Sequence, residues 1–217
     1  MKRIYFIYTT PTFYNTLYQP VMQDAFVSRP DTEVRFMMDS SLLLDTLAND
    51  AQPTPAVERR LLHCAELCQQ AGADLIVVGC TAVNTASKKI APMLDIPLLS
   101  VDEPMIQKVL ADGKKKIAVL SHTPINAMTI RRRLLAEDPS LEVSMFPVEG
   151  AAEVFGPGDL ATYHKLLKEA AEAIPADFDA IVLGHISAEN VDFSRVSLPV
   201  YRTGANCIAA MEKILAE

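Results

Sequence analysis

The chain has 217 residues, half of them hydrophobic and 22% charged, with a formal net charge of −7; that is enough apolar material for a full core in one or two domains. An acidic balance argues against a protein whose main task is gripping nucleic acid, which takes clustered Lys and Arg against phosphate. No apolar run approaches the roughly 18 residues that span a bilayer, so no membrane partner is expected, and four cysteines over this length make no disulfide framework but fit free thiols in a reducing cytoplasm.

Taken in chain order, MKRIYFIYTTP holds a short apolar segment that ends at Thr-Thr-Pro, which reads as a first strand, Ile4–Tyr8, and not as a signal peptide. A second strand is expected at Val34–Met37, followed by a helical pattern interrupted at Gln52-Pro53. The next helix has Thr54 as N-cap, Pro55 at its first position and a stop before Gly72. Its Val57, Leu61, Cys64, Cys68 and Ala71 recur at helical spacing and read as a core stripe. Further strands are expected at Leu75–Val78, Pro97–Ser100, Ile117–Ser121 and Val143–Phe146. Past the FGPG run, a helix opens at Asp159 with Leu160, Tyr163, Leu167 and Ala171 on one face. Strands at Ala180–Leu183 and Val200–Arg202 and a helix over Ala205–Leu215 complete the chain. Strands alternating with helices are the signature of an α/β fold with parallel sheets. The short basic runs Lys114–Lys116 and Arg131–Arg133 read as a strand start and a solvated helix face.

An internal repeat organises these elements. KRIYFIYTTPT from Lys2 matches KKIAVLSHTPI from Lys115, DLIVVGCTA from Asp74 matches DAIVLGHIS from Asp179, and IPLL from Ile96 matches LPVY from Leu198. The offsets of 113, 105 and 102 residues drift in one direction, as loops of differing length would make them drift. The expectation is two pseudo-symmetric lobes, each a parallel sheet flanked by helices: residues 1–98 with the C-terminal helix 204–217, and residues 99–203. In parallel α/β sheets ligands sit outside the carboxyl ends of the strands. That places Thr9, Thr10 and Cys80 on one rim and His122, Thr123, His185 and Ser187 on the other. Cys80 and His185 are equivalent in the repeat, and lobes facing across a pseudo-two-fold would set them opposite one another.

Cys80 differs from the other cysteines by position. Cys64 and Cys68 belong to a helical stripe and Cys207 lies beside Ile208 in the last helix. His63 with Cys64 and Cys68 has no second ligand pair at zinc-like spacing, so no metal site is expected. Cys80 instead follows Gly79 at a strand tip, and Thr81, Asn84 and Thr85 suit a turn into a helix. A thiol there would feel the positive end of the helix dipole, which favours the thiolate. The backbone N–H groups of that turn would suit a substrate carboxylate. A small buried core cysteine is the competing reading.

GCTAVNTA at Cys80, LGHIS on the paired strand, the duplicated lobes and the early YTTPT loop together resemble the aspartate/glutamate racemase superfamily, over essentially the whole chain. That group includes glutamate, aspartate and hydantoin racemases, maleate isomerase and arylmalonate decarboxylase. The resemblance implies chemistry without a cofactor, at the carbon next to the carboxylate of a small acid, with two cysteines on opposite sides of it. It implies Cys80 as the first cysteine, Thr81 as the polar residue after it, and Thr9 and Thr10 in a loop that helps hold the substrate. Ser121, His122 and Thr123 fall in the duplicated loop, and a homodimer would be unsurprising. His185 stands where the second cysteine would be. Imidazole there can be a second acid/base, or Cys80 can work alone in decarboxylation or double-bond isomerisation, or His185 can be structural. His63 and His164, within helices, are expected outside the site.

Two other classes stay open. YTTPTFYNT faintly resembles a flavodoxin-like phosphate loop, which would make the chain a flavin- or nucleotide-binding module, yet it holds no glycine and the chain has neither G-x-G-x-x-G nor a P-loop. A carboxylate sensor on the same cleft would bind without turnover. The stretch from Pro147 to Gly158 is either a lid or an ordinary connection.

Overall fold

The computed structural model describes residues 1–27 and 29–216. It runs β1 (Lys2–Tyr8), α1 (Pro11–Phe13), a π-helical segment (Tyr14–Met22), α2 (Gln23–Val27), β2 (Thr32–Met38), α3 (Ser40–Leu47), α4 (Pro55–Gln70), β3 (Leu75–Val78), α5 (Asn84–Ile90) and β4 (Leu98–Ser100). Then follow α6 (Glu103–Ala111), β5 (Lys116–Ser121), α7 (Pro124–Glu137), β6 (Glu142–Pro147), α8 (Ala151–Phe155), α9 (Leu160–Glu172), β7 (Ala180–Leu183), β8 (Val200–Tyr201) and α10 (Thr203–Ala216). The strands form two four-stranded parallel sheets of identical order, β2-β1-β3-β4 and β6-β5-β7-β8.

Contacts divide the chain into Met1–Pro104 with Gly204–Glu217, and Met105–Thr203. Glu217, the expected end of the first lobe, lies outside the described residues. Leu99 and Ser100, assigned from sequence to the second lobe, complete the first sheet, because β4 pairs with β3 from Ile76↔Leu98 to Val78↔Ser100.

Alternation along each central strand decides its two faces. In the first unit Tyr5 and Ile7 of β1 and Ile76 and Val78 of β3 pack on Val57, Leu61, Ala65 and Cys68 of α4. The other face holds Phe6 against Phe13 and Tyr18, each at a ring separation of 5.4 Å. In the second unit Leu120 and Leu183 meet Tyr163, Leu167 and Ala171 of α9, while Val119 and Val182 meet Ile106, Ile130 and Leu134. Each large side chain so buried contributes about 1.5–3 kcal/mol.

Helix ends follow side-chain chemistry. Thr54 accepts from the Val57 N–H at 3.3 Å, with Pro55 beginning α4, and Asp159 accepts from the Thr162 N–H at 3.0 Å. Gly72 closes α4 in the left-handed region at φ +81°. Pro20 lies inside the π-helical segment, where it supplies no N–H and its ring crowds the carbonyl four residues back, so the turn widens.

Two members of the expected helix stripes fall off the core. Ala71 is exposed because it lies past the end of α4, as its C-cap, and its carbonyl accepts from Arg3 Nη1 at 2.7 Å. Leu160 is 47% exposed, since it starts α9 before that helix reaches its sheet. Within the Arg131–Arg133 run, Arg133 is buried in α7 and so leaves the expected solvated face. The stretch after Pro147 holds the short helix α8 between turns, the last of them at Gly158.

Candidate active site

In a sheet of order β2-β1-β3-β4 the chain switches direction between β1 and β3, and loops diverge beyond their carboxyl ends to leave a crevice. Cys80 lies just past β3 at that point, with Gly79 donating its N–H to Ile7 O at 2.8 Å. Gly79 is required by a close approach: a Cβ there would come 2.5 Å from the Phe13 ring. Cys80 is extended, then the chain tightens into the 3₁₀ turn Thr81–Val83 ahead of α5. The Thr9 hydroxyl and the N–H groups of Ala82 and Val83 favour the charged form of its half-buried sulfur, although Cys80 makes no capping hydrogen bond to its turn. Burial outweighs those donors, and the nearby Asp102 carboxylate adds to it, so the thiol is held above its ordinary value. The expectation of a dipole-stabilised thiolate is therefore corrected: Cys80 rests as a thiol.

Thr9 is 3% exposed. Thr10 is half-buried and precedes α1 without using its hydroxyl as a cap, which leaves that group for another partner. Thr81 is half-buried in the turn. Sequence reasoning missed the layer behind: Asn84 Nδ2 donates to Asp102 Oδ1, both residues buried. Asn84 stands in the same GCTAVNTA stretch, but nothing local marks Asp102, which β4 brings there.

The second unit repeats the construction with different chemistry. Gly184 donates its N–H to Leu120 O at 2.7 Å, as Gly79 does to Ile7. A Cβ on Gly184 would lie 2.7 Å from Ser121 Cβ. His185 is extended (φ −152°, ψ 144°) and caps the 3₁₀ turn Ile186–Ala188. Its Nδ1 accepts from the Ser187 N–H at 3.2 Å and lies 2.7 Å from Ser187 Oγ, which is 2.5 Å from the Tyr163 hydroxyl. Tyr163, fully buried and unflagged by sequence except as core, is pushed up to about 12 by burial and stays a phenol. The His122 ring stands 4.5 Å from that of His185 at 76°. Burial drives His185 down to about 3, with His122 adding to it, and His122 down to about 4. Both imidazoles rest neutral.

Ser121 ends β5, 2% exposed and with no hydrogen-bond partner for its Oγ among the described residues. Thr123 caps α7, its Oγ1 accepting from the Asn126 N–H at 3.2 Å. A cavity of about 530 Å³ opens beside His122 and Thr123, walled by Pro124, Pro147, Val148 and Ala152. Of the remaining histidines, His63 is exposed beside Glu66, and His164 lies half-buried on α9. Cys64, Cys68 and Cys207 are buried, Cys68 being pushed up to about 12. Among the described residues no three His, Cys, Asp or Glu side chains gather as a metal site, and no helix is long and apolar enough to cross a membrane.

Solved structures share this fold across nearly the whole chain. A glutamate racemase isoform from Bacillus anthracis superposes with a TM-score of 0.70 at 17% identity, covering 99% of this chain and 82% of that one. An aspartate racemase homologue from Pyrococcus horikoshii gives 0.67 at 18%, with both chains covered completely. The aspartate racemase of Picrophilus torridus gives 0.68 at 14%, covering 98% of this chain and 94% of that one. A search of curated proteins returned no match. The family model described as Asp/Glu/Hydantoin racemase matches residues 11–185, from the loop after β1 through Cys80 to His185. With a parallel α/β fold in duplicate and four-fifths of its length matched, the chain belongs to the Asp/Glu/Hydantoin racemase family.

Proposed function

We propose that this chain moves a proton at the carbon next to the carboxylate of a small acid, with Cys80 as the group that takes and returns it and a catalytic role also for His185. The observation that carries this reading is the Cys80 sulfur at the β3 tip, at the switch point of its sheet, where the Thr9 hydroxyl and two turn N–H groups favour its charged form. A core cysteine needs no such donors. Abstraction would leave negative charge on the carboxylate oxygens as an enediolate, which fixed hydrogen-bond donors stabilise. Thr10 and Thr81, on the rim that carries Cys80, are proposed to contact the substrate. The free thiols fit a cytoplasmic setting.

A second reading is favoured by the raised thiol. A resting S–H suits protonation of a carbanion that forms without a base, as when a substituted malonate loses CO₂. There the C–C bond breaks, its electron pair stays as the enediolate, the thiol proton moves to carbon, and water reprotonates the thiolate.

One experiment serves both. Amino acids, hydantoins and substituted malonates are incubated in deuterated water with wild type and Cys80→Ala, scoring isotope exchange, inversion and CO₂ release. At least one acid should react, and the variant should lose about 10²–10⁴-fold. A panel inert on all three readouts, or a Cys80→Ala protein as active as wild type, sinks the assignment.

A further inference from the structure

We propose that two copies of this chain join along the open edge of β2, strand against strand in antiparallel register about a two-fold axis at Val34, so that their first-unit sheets run on as one. This goes beyond the proton-transfer reading and draws on the first unit by itself.

β2 and β6 are the equivalent edge strands of the two sheets, and they differ in what they offer a neighbour. Along a paired strand the backbone groups of successive residues point alternately to either side. The Asp31 carbonyl accepts from the Lys2 N–H at 2.6 Å, and the Asp39 N–H donates to Tyr8 O at 3.0 Å. Odd-numbered residues of β2 therefore serve β1, while Val34, Phe36 and Met38 turn their N–H and C=O groups outward. Among the described residues nothing bonds to those outward groups.

On β6 the N–H groups of Glu142 and Val148 bond to Lys115 and Ser121, so the outward positions are Val143, Met145 and Pro147. That edge is closed at two of these three places. Arg131 Nε donates to the Val143 carbonyl at 3.1 Å, and Pro147 has no N–H to give. A proline or a covering group is how an edge is kept from pairing. β2 has no proline, and among the described residues no side chain caps its outward carbonyls. Its Phe36 and Met38 are 37% and 53% exposed. An open, apolar strand of this kind is a template for another strand.

Charge selects a second copy as that strand. Glu33 and Arg35 flank Val34, with Arg35 Nε 2.6 Å from Glu33 Oε1 within one chain. Antiparallel pairing about Val34 sets Glu33 opposite Arg35 of the second copy, and symmetry does so twice, in the pairs where side chains approach most closely. The two Val34 residues exchange both backbone bonds, and the Phe36 N–H meets the Thr32 carbonyl of the second copy. An axis at Arg35 would oppose two guanidinium groups, and an axis at Phe36 would oppose Glu33 and Asp39. Only the Val34 register is complementary to itself.

The test is sedimentation of the full chain with charge variants of β2. At about 100 μM, where a dimer of micromolar Kd is well populated, wild type should sediment as a dimer. Arg35→Glu and Glu33→Arg each oppose like charges across the axis and should weaken association at least about tenfold, with circular dichroism unchanged. Mixed in equal amounts, the two variants restore opposite charges and should form a heterodimer as tight as the wild-type dimer. Amide hydrogen exchange should find Val34 and Phe36 protected in the dimer and released on dilution, while Met145 on β6 exchanges alike at both concentrations. A chain monomeric at the higher concentration overturns the proposal, even where an added extended peptide then protects the same amides. A dimer indifferent to both single variants, or variants that stay apart on mixing, overturns it as well. Activity is not read, so none of these outcomes bears on the role of Cys80.

Discussion

The rim after β1 and β3 and the rim after β5 and β7 are one construction executed twice. Pro11 and Pro124 begin the helices after Thr10 and Thr123, and Gly79 and Gly184 bond back to the neighbouring strand. Cys80 and His185 sit in the same extended step before a 3₁₀ turn. What differs is the pair of side chains at the tips: Thr9 with Cys80 on one, His122 with His185 on the other. Thr9 supplies a hydroxyl to a sulfur, whereas His122 supplies a ring set nearly perpendicular to that of His185. The backbone thus conserves a geometry while the chemistry on it diverges, because a strand-tip position constrains where a side chain emerges and not what it is.

The largest expected contrast between the units is with acid. His122 and His185 titrate near 4 and 3 when folded, against about 6.5 unfolded. Between those values the unfolded chain binds more protons, so stability is full above about pH 6.5 and falls as pH drops. Each imidazole costs about 1.4 kcal/mol per pH unit within its window. Amide hydrogen exchange from pH 7 to 5 should show protection falling in Met105–Thr203 well ahead of the first unit. Equal behaviour of the two units would remove the contrast.

Next in size are the two glycines. An alanine at Gly184 meets Ser121 Cβ at 2.7 Å and the Leu120 carbonyl oxygen at 3.3 Å, both fixed by β5. At Gly79 it meets the Phe13 ring on a three-residue helix, which yields more readily. Overpacking of this kind costs about 1–3 kcal/mol, and denaturant midpoints should place Gly184→Ala below Gly79→Ala. The reverse order would mean that Phe13 is the more rigid neighbour.

The smallest effect concerns Thr9. Thr9→Val removes a donor that lowers the Cys80 thiol, so the thiol titrates higher still and less thiolate is present at any lower pH. Exchange at pH 8 should drop about 3- to 10-fold, the scale of one hydrogen bond, with the pH–rate profile displaced upward. An unmoved profile would show that the hydroxyl does not govern the sulfur.

Much of this was legible in the chain. The eight expected strands all appear, because short apolar, β-branched runs such as Leu75–Val78, buried on both faces, report locally on a sheet. Thr54 and Asp159 announced their helices, since a cap is chemistry within three residues. Ala71 and Leu160 misled because spacing tells which residues share a helix face, not how far the helix stays against its sheet. The resting state of Cys80 was misread for a similar reason. The turn dipole is a local feature, whereas burial and the approach of Asp102 are not.

By itself the sequence determined the duplicated α/β plan, the family, and the strand-tip placement of Cys80 and His185, all of which follow from patterns contiguous in the chain. Only the tertiary structure decided the protonation of those two groups. That depends on Thr9, Asp102, His122 and Tyr163, which strand pairing and helix packing bring from 22 to 71 residues away.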